Sequence, residues 1–407
     1  MSKTSKWLPF SRADLRDQRQ KNALYISLSQ CAAAFSLNFV NIFVPFYVFK
    51  VSPYSQRETL LWVGAIVSLN GIFTAITSPI WGSLTHRLSP KKLYQRGMIA
   101  HSVLFLLMGF TTDLHLLVAL RILQGMFGGV STIGLILVSS SSEPERIPSN
   151  LGLFQSSLTL GQLTGPPLGT LAAAAFGYRG AFISGSILLF ATFLFCQFEV
   201  TDVPKLPKPA KSLDRGRVDK RILFGWTICF MVQVQLMFLP SILPKVLENL
   251  DFHGPLALKL AGVIVGLYSA GTVVGTYAWT RLAPKLGLVR LITALLLVAT
   301  LFQVLLVFAR GIFDFTLIRM VQTGMVGAVI PLVMSMFAGQ QRGSTIGLLN
   351  AARFTGNAMG PLLATSLLAF SSFGSLCIVI GVLTMISLGC FRLTFKTDAL
   401  PSNGSAA

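Results

Sequence analysis

Charge is scarce in this chain, and acid is scarcest of all. Only 12% of its 407 residues are Asp, Glu, Lys or Arg, about half the share found in a soluble domain. Hydrophobic side chains make up 53% and the mean hydropathy is +0.69. That balance excludes both an aqueous globule and a disordered chain, because neither could keep so much apolar surface in water. Histidine is limited to four. The five cysteines (Cys31, Cys196, Cys229, Cys377, Cys390) fall singly inside apolar runs, which excludes a metal-ligand spacing and leaves them as small hydrophobes. No nucleophile–base set or phosphate-cradling loop stands out, so neither an enzyme nor a cofactor or metal site is expected. The net charge of +19 would suit nucleic acid. The Lys and Arg stand instead in short clusters between long apolar stretches, so the expected partner is the lipid bilayer and not nucleic acid.

A helix that crosses a bilayer needs about 20 mostly apolar residues. Twelve such runs are predicted, at 23–48, 60–83, 94–112, 115–139, 149–174, 179–198, 222–243, 260–281, 288–309, 313–337, 344–369 and 372–395. They are too long for transmembrane strands and lack the alternation of a barrel. The run that follows the polar first 21 residues has no small-residue cleavage pattern and reads as an uncleaved first span. The fold class is therefore all-α and integral to the membrane.

Positive charge sets the orientation. One side would carry the tail (Lys3, Lys6, Arg12, Arg16, Arg19, Lys21), the loop cluster Arg87, Lys91, Lys92 and Arg96, and the connection with Lys205, Lys208, Lys211, Arg215 and Arg217. The other side has only scattered cations such as Lys50, Arg57, Arg179, Lys245, Lys259 and Arg310. Both termini are expected in the cytoplasm.

The most basic and Pro-rich connection divides the chain into a six-span half at 1–198, a cytoplasmic linker at 199–221 and a second six-span half at 222–407. A repeat supports the division. A shift of 198 carries Arg121 and Gln124 onto Arg319 and Gln322, Gly64 onto Gly262, and Trp81 onto Trp279. A shift of 195 carries Gly161, Gly165 and Pro166 onto Gly356, Gly360 and Pro361. Parallel six-span repeats are an architecture of alternating-access transporters.

Three motifs carry a family resemblance. Span 5 holds Gly161-Gln-Leu-Thr-Gly165-Pro166-Pro167-Leu-Gly169, with small residues four apart for close helix approach and prolines that bend the helix. Span 4 holds Arg121-x-x-Gln124-Gly125, with Arg121 about 9 Å into the span at 1.5 Å per residue. After span 2 comes Gly82-Ser-Leu-Thr-His86-Arg87-Leu-Ser89-Pro90-Lys91-Lys92. With these the chain resembles the major facilitator superfamily, its twelve-span drug:proton antiporter group, and within that the MdtG-type multidrug exporters. The resemblance implies an antiporter motif at Gly161, Gly165, Pro166 and Gly169. It implies proton coupling at Arg121 with Gln124, and a gating loop at Gly82, His86, Arg87 and Lys91. The loop departs from the family pattern, with His86 at the position of an Asp and Ser89 at that of a Gly. The departure removes an acidic latch partner or makes the latch pH-sensitive.

All fourteen acids fall in tails, loops or span ends, whereas Arg121, Arg319 and Arg353 are inside spans. Arg353 lies roughly 14 Å deep, where a charge costs about 2.5–3.5 kcal/mol and must face the bundle interior. Its expected surroundings are Asn38, Asn41, Gln155, Gln233, Gln235 and Asn357, which with Arg353 form the predicted substrate site. The aromatic residues Phe39, Phe43, Tyr47, Trp226, Phe230 and Tyr268 could contribute apolar walls. A cavity with Arg353 and no carboxylate is expected to favour anionic or neutral amphiphiles. His101 is the titratable side chain well inside a span and the second coupling candidate. The expected function is a monomeric secondary transporter of the bacterial inner membrane that exports small amphiphilic compounds in exchange for protons. The alternative is a carrier of one metabolite or organic anion, and a non-transporting receptor stands third.

Overall fold

The computed structural model describes residues 18–143, 146–203, 220–337 and 343–396. The cations Lys3, Lys6, Arg12, Arg16, Lys205, Lys208, Lys211, Arg215, Arg217 and Arg342 lie outside the described residues. So do the acids Asp14, Asp17, Glu145, Asp214, Asp219 and Asp398.

Among the described residues the chain is helical throughout, as lipid demands of a backbone whose polar groups must be satisfied internally. The helices are α1 (Gln18–Asn41), α2 (Val44–Val51), α3 (Gln56–Ser83), α4 (Pro90–Phe110), α5 (Leu114–Met126), α6 (Val130–Ser141) and α7 (Ile147–Glu199). The second set is α8 (Lys220–Asn249), α9 (Gly254–Leu286), α10 (Leu288–Leu305), α11 (Ile312–Val326), α12 (Val329–Phe337), α13 (Gly343–Phe370) and α14 (Phe373–Lys396). Local signals start several of them. Ser55 and Glu58 form a reciprocal capping box at α3. Asp113 caps α5 by accepting from the His115 N–H at 2.8 Å, a bond that holds its carboxyl below the usual carboxylate range.

Nine helical segments among the described residues are long and apolar enough to cross a membrane. The longest, Ser149–Glu199, counts twice. At Gly177 the backbone turns to φ 72°, a conformation that costs glycine little. Before this kink α7 runs parallel to α1, with Gly161 on Cys31 and Gly169 on Phe39. After it the chain runs back, with Phe182 on Phe43 and Phe195 on Tyr25. With α4 and α13 the crossings number twelve, arranged as two six-span halves.

Three runs that the sequence leaves continuous are broken. Span 1 pauses at Ile42 and Phe43 before α2, whose second residue, Pro45, has no N–H to continue the helix. Span 4 breaks at Phe127–Gly129, where Gly129 has φ 88°. Span 10 breaks at the corresponding Gly327 and Ala328.

The antiparallel packing of α3 on α13 fixes how the halves sit. Gly64, early in α3, meets Thr365, late in α13, and Gly71 meets Ala358. Residues Gln18 and Lys396 therefore lie at one end of the bundle. The contacts that join the halves among the described residues concentrate toward the opposite end. There Gly262 and Gly266 of α9 also meet Thr170 and Pro167 of α7, Gln56 donates to Glu248 at 2.9 Å, and Arg57 lies 4.0 Å over the Phe370 ring.

Candidate functional site

Two helix pairs carry the glycine motifs, α1 with α7 in one half and α8 with α13 in the other. Glycine decides how tightly each pair packs. A Cβ on Gly161, Gly165 or Gly169 would stand 2.2, 2.6 or 1.9 Å from the backbone oxygens of Cys31, Phe35 and Phe39. The motif is thus a flat stripe that lets α7 rest on the α1 backbone within the same half. Its copy does the same, with Gly356 on Phe230 and Gln233 and Gly360 on Val234 and Met237. Pro166 is buried, and Pro167 one residue on faces α9.

Beside the glycine stripe, α7 turns Gln155, Thr159 and Gln162 outward, and all three are exposed. At 100° per residue they share an arc between the face on α1 and the face on α9. The apolar Leu160, Leu168 and Leu171, also exposed, occupy the opposite arc. In α13, half-buried Arg353 lies within the face on α8, and exposed Asn357 lies between that face and the face on α3. Asn38 is half-buried, with its Cβ against Gly165 and its amide donating to the Ala34 carbonyl at 2.8 Å. Gln233 is 8% exposed. Asn38, Gln155, Gln233, Arg353 and Asn357 thus lie on or beside the packed pairs α1–α7 and α8–α13.

Two predicted substrate residues are engaged elsewhere. Gln235 is fully buried within the C-terminal half. Its amide donates to Thr384 at 2.7 Å and its Oε1 accepts from Gln322 at 3.1 Å. Two residues on from Gln233, and so on the far side of α8 at 100° per residue, it points into the core of that half. Asn41, half-buried, accepts a 2.8 Å hydrogen bond from Arg121.

Each half contains one buried arginine centre. Arg121, 2% exposed, donates to Asn41 and to Gln124, both at 2.8 Å, and so ties α5 to α1. Arg319, fully buried, ties α11 to α8 by donating to the Gln235 carbonyl at 2.8 Å and the Leu236 carbonyl at 3.2 Å. It also bonds Gln322 and lies 4.7 Å from the Phe238 ring. Neutral acceptors surround both cations. Among the described residues every carboxylate (Glu58, Asp113, Glu143, Glu199, Asp202, Glu248, Asp251 and Asp314) stands near a helix end or in a connection. His101 is 5% exposed inside the N-terminal half, its Nδ1 against the Gly97 carbonyl at 2.6 Å. Phe39, Phe43, Tyr47 and Tyr268 are packed in the core, whereas Trp226 and Phe230 remain half-buried.

In the loop after α3, His86 bonds the Ser83 carbonyl and Arg87 is exposed. Gly82 sits against Thr132 and Ile136 of α6. An acid from the connection after α7 meets this loop. Asp202 accepts from Ser89 Oγ at 2.5 Å and from the Lys91 N–H at 3.2 Å, while Lys91 Nζ donates to the Gln197 carbonyl. Sequence reasoning missed Asp202 because it is remote in the chain. Arg96, assigned to the aqueous cluster, is instead half-buried. Its guanidinium stacks 3.3 Å from the Trp81 ring and donates to the carbonyls of Phe127 and Gly128, where α5 ends. The break in span 4 creates those open carbonyls, and a continuous helix would have offered Arg96 nothing.

A family model described as Major Facilitator Superfamily matches residues 26–322 and 226–407. The multidrug resistance protein MdtG of Yersinia enterocolitica is 26% identical over 383 residues, which is 90% of this chain and 91% of that protein. The staphyloferrin B transporter of Staphylococcus aureus is 30% identical over 189 residues, 46% of this chain and 45% of that one. Among solved structures, a bacterial homologue of the human lysosomal transporter Spinster, inward-facing and occupied, superposes with a TM-score of 0.72 at 12% identity, covering 92% of this chain and 96% of its own. An all-helical fold with a repeat in its two halves, together with a sequence match across nearly the whole length, places the chain in a family of membrane transporters rather than enzymes: it belongs to the Major Facilitator Superfamily.

Proposed function

We propose that this transporter exports small amphiphilic compounds from the cytoplasm across the bacterial inner membrane in exchange for protons, with both termini cytoplasmic. The observation that carries the reading is the uneven closure of the chamber. Inter-half contacts gather away from the termini, and exposed polar side chains of α7 and α13 line the space toward the other end. With the termini inside, this is the cytoplasm-facing state, ready to load.

The parts that move and the parts that do not can be told apart by their chemistry. Within each half the glycine stripes and arginine centres bury backbone against backbone and satisfy polar groups with several bonds. Between the halves the contacts among the described residues include glycines of one half on threonine, alanine and proline of the other, an amide–carboxylate bond and a cation–π pair. Such contacts can part without leaving a charge unpaired in lipid. Two rigid halves rocking about them give alternating access. The proton-coupling role falls to Arg121, which the resemblance assigns and which joins α5 to α1 beside the chamber. Export of amphiphiles is supported by the MdtG-named relative, which aligns over most of the chain.

Inside-out membrane vesicles from cells lacking other exporters test this. Acidifying the lumen should drive uptake of an amphiphilic fluorescent probe, and a protonophore should abolish it. Uptake that is absent, or equal with and without the gradient, would overturn the reading.

A further inference from the structure

The two chamber walls are repeats of one another, so a departure from the repeat marks what one wall does and the other does not. A shift of 195 pairs Phe35 with Phe230, Asn38 with Gln233, Gly161 with Gly356 and Gln162 with Asn357. The pairing breaks at several positions, two of which change the chemistry of one contact. Leu158 corresponds to Arg353, and Cys31 corresponds to Trp226. Both changes fall on the same α8–α13 contact. Arg353 stands one turn before Gly356, which rests on Phe230, and is within electrostatic reach of Cys229, which lies between Trp226 and Phe230 in the chain. The Trp226 and Phe230 rings lie parallel, 4° apart in plane and 5.4 Å between centroids. Both remain half-buried, unlike the core aromatics.

We propose that this wall is a composite subsite for an aromatic organic anion, a deepening that rests on the transport reading above. The guanidinium of Arg353 takes the carboxylate or sulfonate, the flat Trp226–Phe230 surface takes the ring, and Asn357 and Gln233 supply neutral hydrogen bonds. Three physical reasons favour this ligand chemistry. The sign of the fixed charge at mid-depth is positive, and the described carboxylates all lie near helix ends or in connections. An arginine binds a carboxylate through two parallel N–H donors, which orients the bound group as well as attracting it. The opposite wall offers only uncharged polar and apolar groups, so the solute has one preferred way round.

Binding to purified full-length protein in nanodiscs tests the assignment by calorimetry with three probes of one shape: 2-naphthoate, its neutral amide and 2-naphthylmethylammonium. The acid should bind about tenfold or more tighter than the amide, and the cation should bind weakest. Arg353→Gln should lower the acid to the affinity of the amide and leave the amide unchanged, with Arg353→Lys intermediate. Phe230→Leu should weaken naphthoate but not octanoate. Equal affinity for acid and amide in the wild-type protein, or an acid preference that survives Arg353→Gln, would overturn the proposal. The wild-type comparison decides even if a variant fails to fold. Flux of the neutral amide without any preference for the acid would sink this subsite while leaving the transport reading intact. Binding of the acid without flux of any probe would do the reverse.

Discussion

Thr365 Oγ1 stands 2.1 Å from where a β-carbon on Gly64 would be, and Thr170 Oγ1 stands 2.0 Å from the same point on Gly262. The two contacts are copies. One shift relates the glycines and the other relates the threonines, and both pairs join opposite halves. Each threonine hydroxyl also bonds back to its own helix, Thr365 to the Pro361 carbonyl at 2.9 Å and Thr170 to the Pro167 carbonyl at 2.9 Å. The hydroxyl is therefore fixed in place, and the room it occupies exists because its partner lacks a side chain.

A bulky residue at either glycine should wedge the closed end apart. For Gly64→Trp or Gly262→Trp we expect faster thiol labelling of a cysteine placed at Ser55 and transport slowed at least tenfold. Both variants should fold, since the change falls between the halves. Unchanged labelling would show that these contacts do not close that end.

The glycine stripe within the first half should behave differently. Gly169→Ala sets a methyl group 1.9 Å from the Phe39 carbonyl oxygen, with no space between halves to give way. Overpacking of this kind costs about 1–3 kcal/mol. The expected result is a lower thermal unfolding temperature in detergent with no change in Ser55 labelling.

Asn41 and Arg121 should act as one unit. The Asn41→Ala and Arg121→Gln changes are each expected to lower stability. The double variant should lose less than the two together, with a coupling of about 1 kcal/mol in a double-mutant cycle. Arg121→Gln should also abolish pH-driven flux while leaving probe binding in place. Additive losses would show that the 2.8 Å contact carries no energy of its own.

His101 separates the two coupling candidates. Its Nδ1 is engaged by the Gly97 carbonyl and the ring is buried inside the N-terminal half. The expectation is that His101→Gln retains acid-driven uptake in inside-out vesicles. Loss of uptake with retained binding would move the coupling role from Arg121 to His101.

Much of this arrangement is legible in the sequence, for physical reasons. Lipid leaves the backbone one solution between turns, so apolar length alone locates the crossings. The repeat shows up because each half solves the same packing problem, with Gly161 and Gly356 at the same place in it. A buried cation also announces itself where hydrophobic neighbours surround it, as at Arg121 and Arg319. What stays hidden depends on direction within a helix. Gln233 and Gln235 look alike as letters, yet one packs on Gly356 of α13 and the other bonds Thr384 in the core. Asp202 and Ser89 are joined only by folding, and Arg96 has carbonyls to cap only because span 4 is broken. The threonines at the closed end carried a signal in principle, since Thr170 and Thr365 obey the same shift as the antiporter motif.

Spin-label distances in liposomes test the central claim most directly, with one pair at Ser55 and Asn249 on the closed end and another at Lys92 and Arg290 on the open end. Adding a transported amphiphile under a pH gradient should lengthen the first distance and shorten the second together. Flux that proceeds with both distances fixed, or with both changing in the same sense, would contradict a chamber that opens to one side at a time.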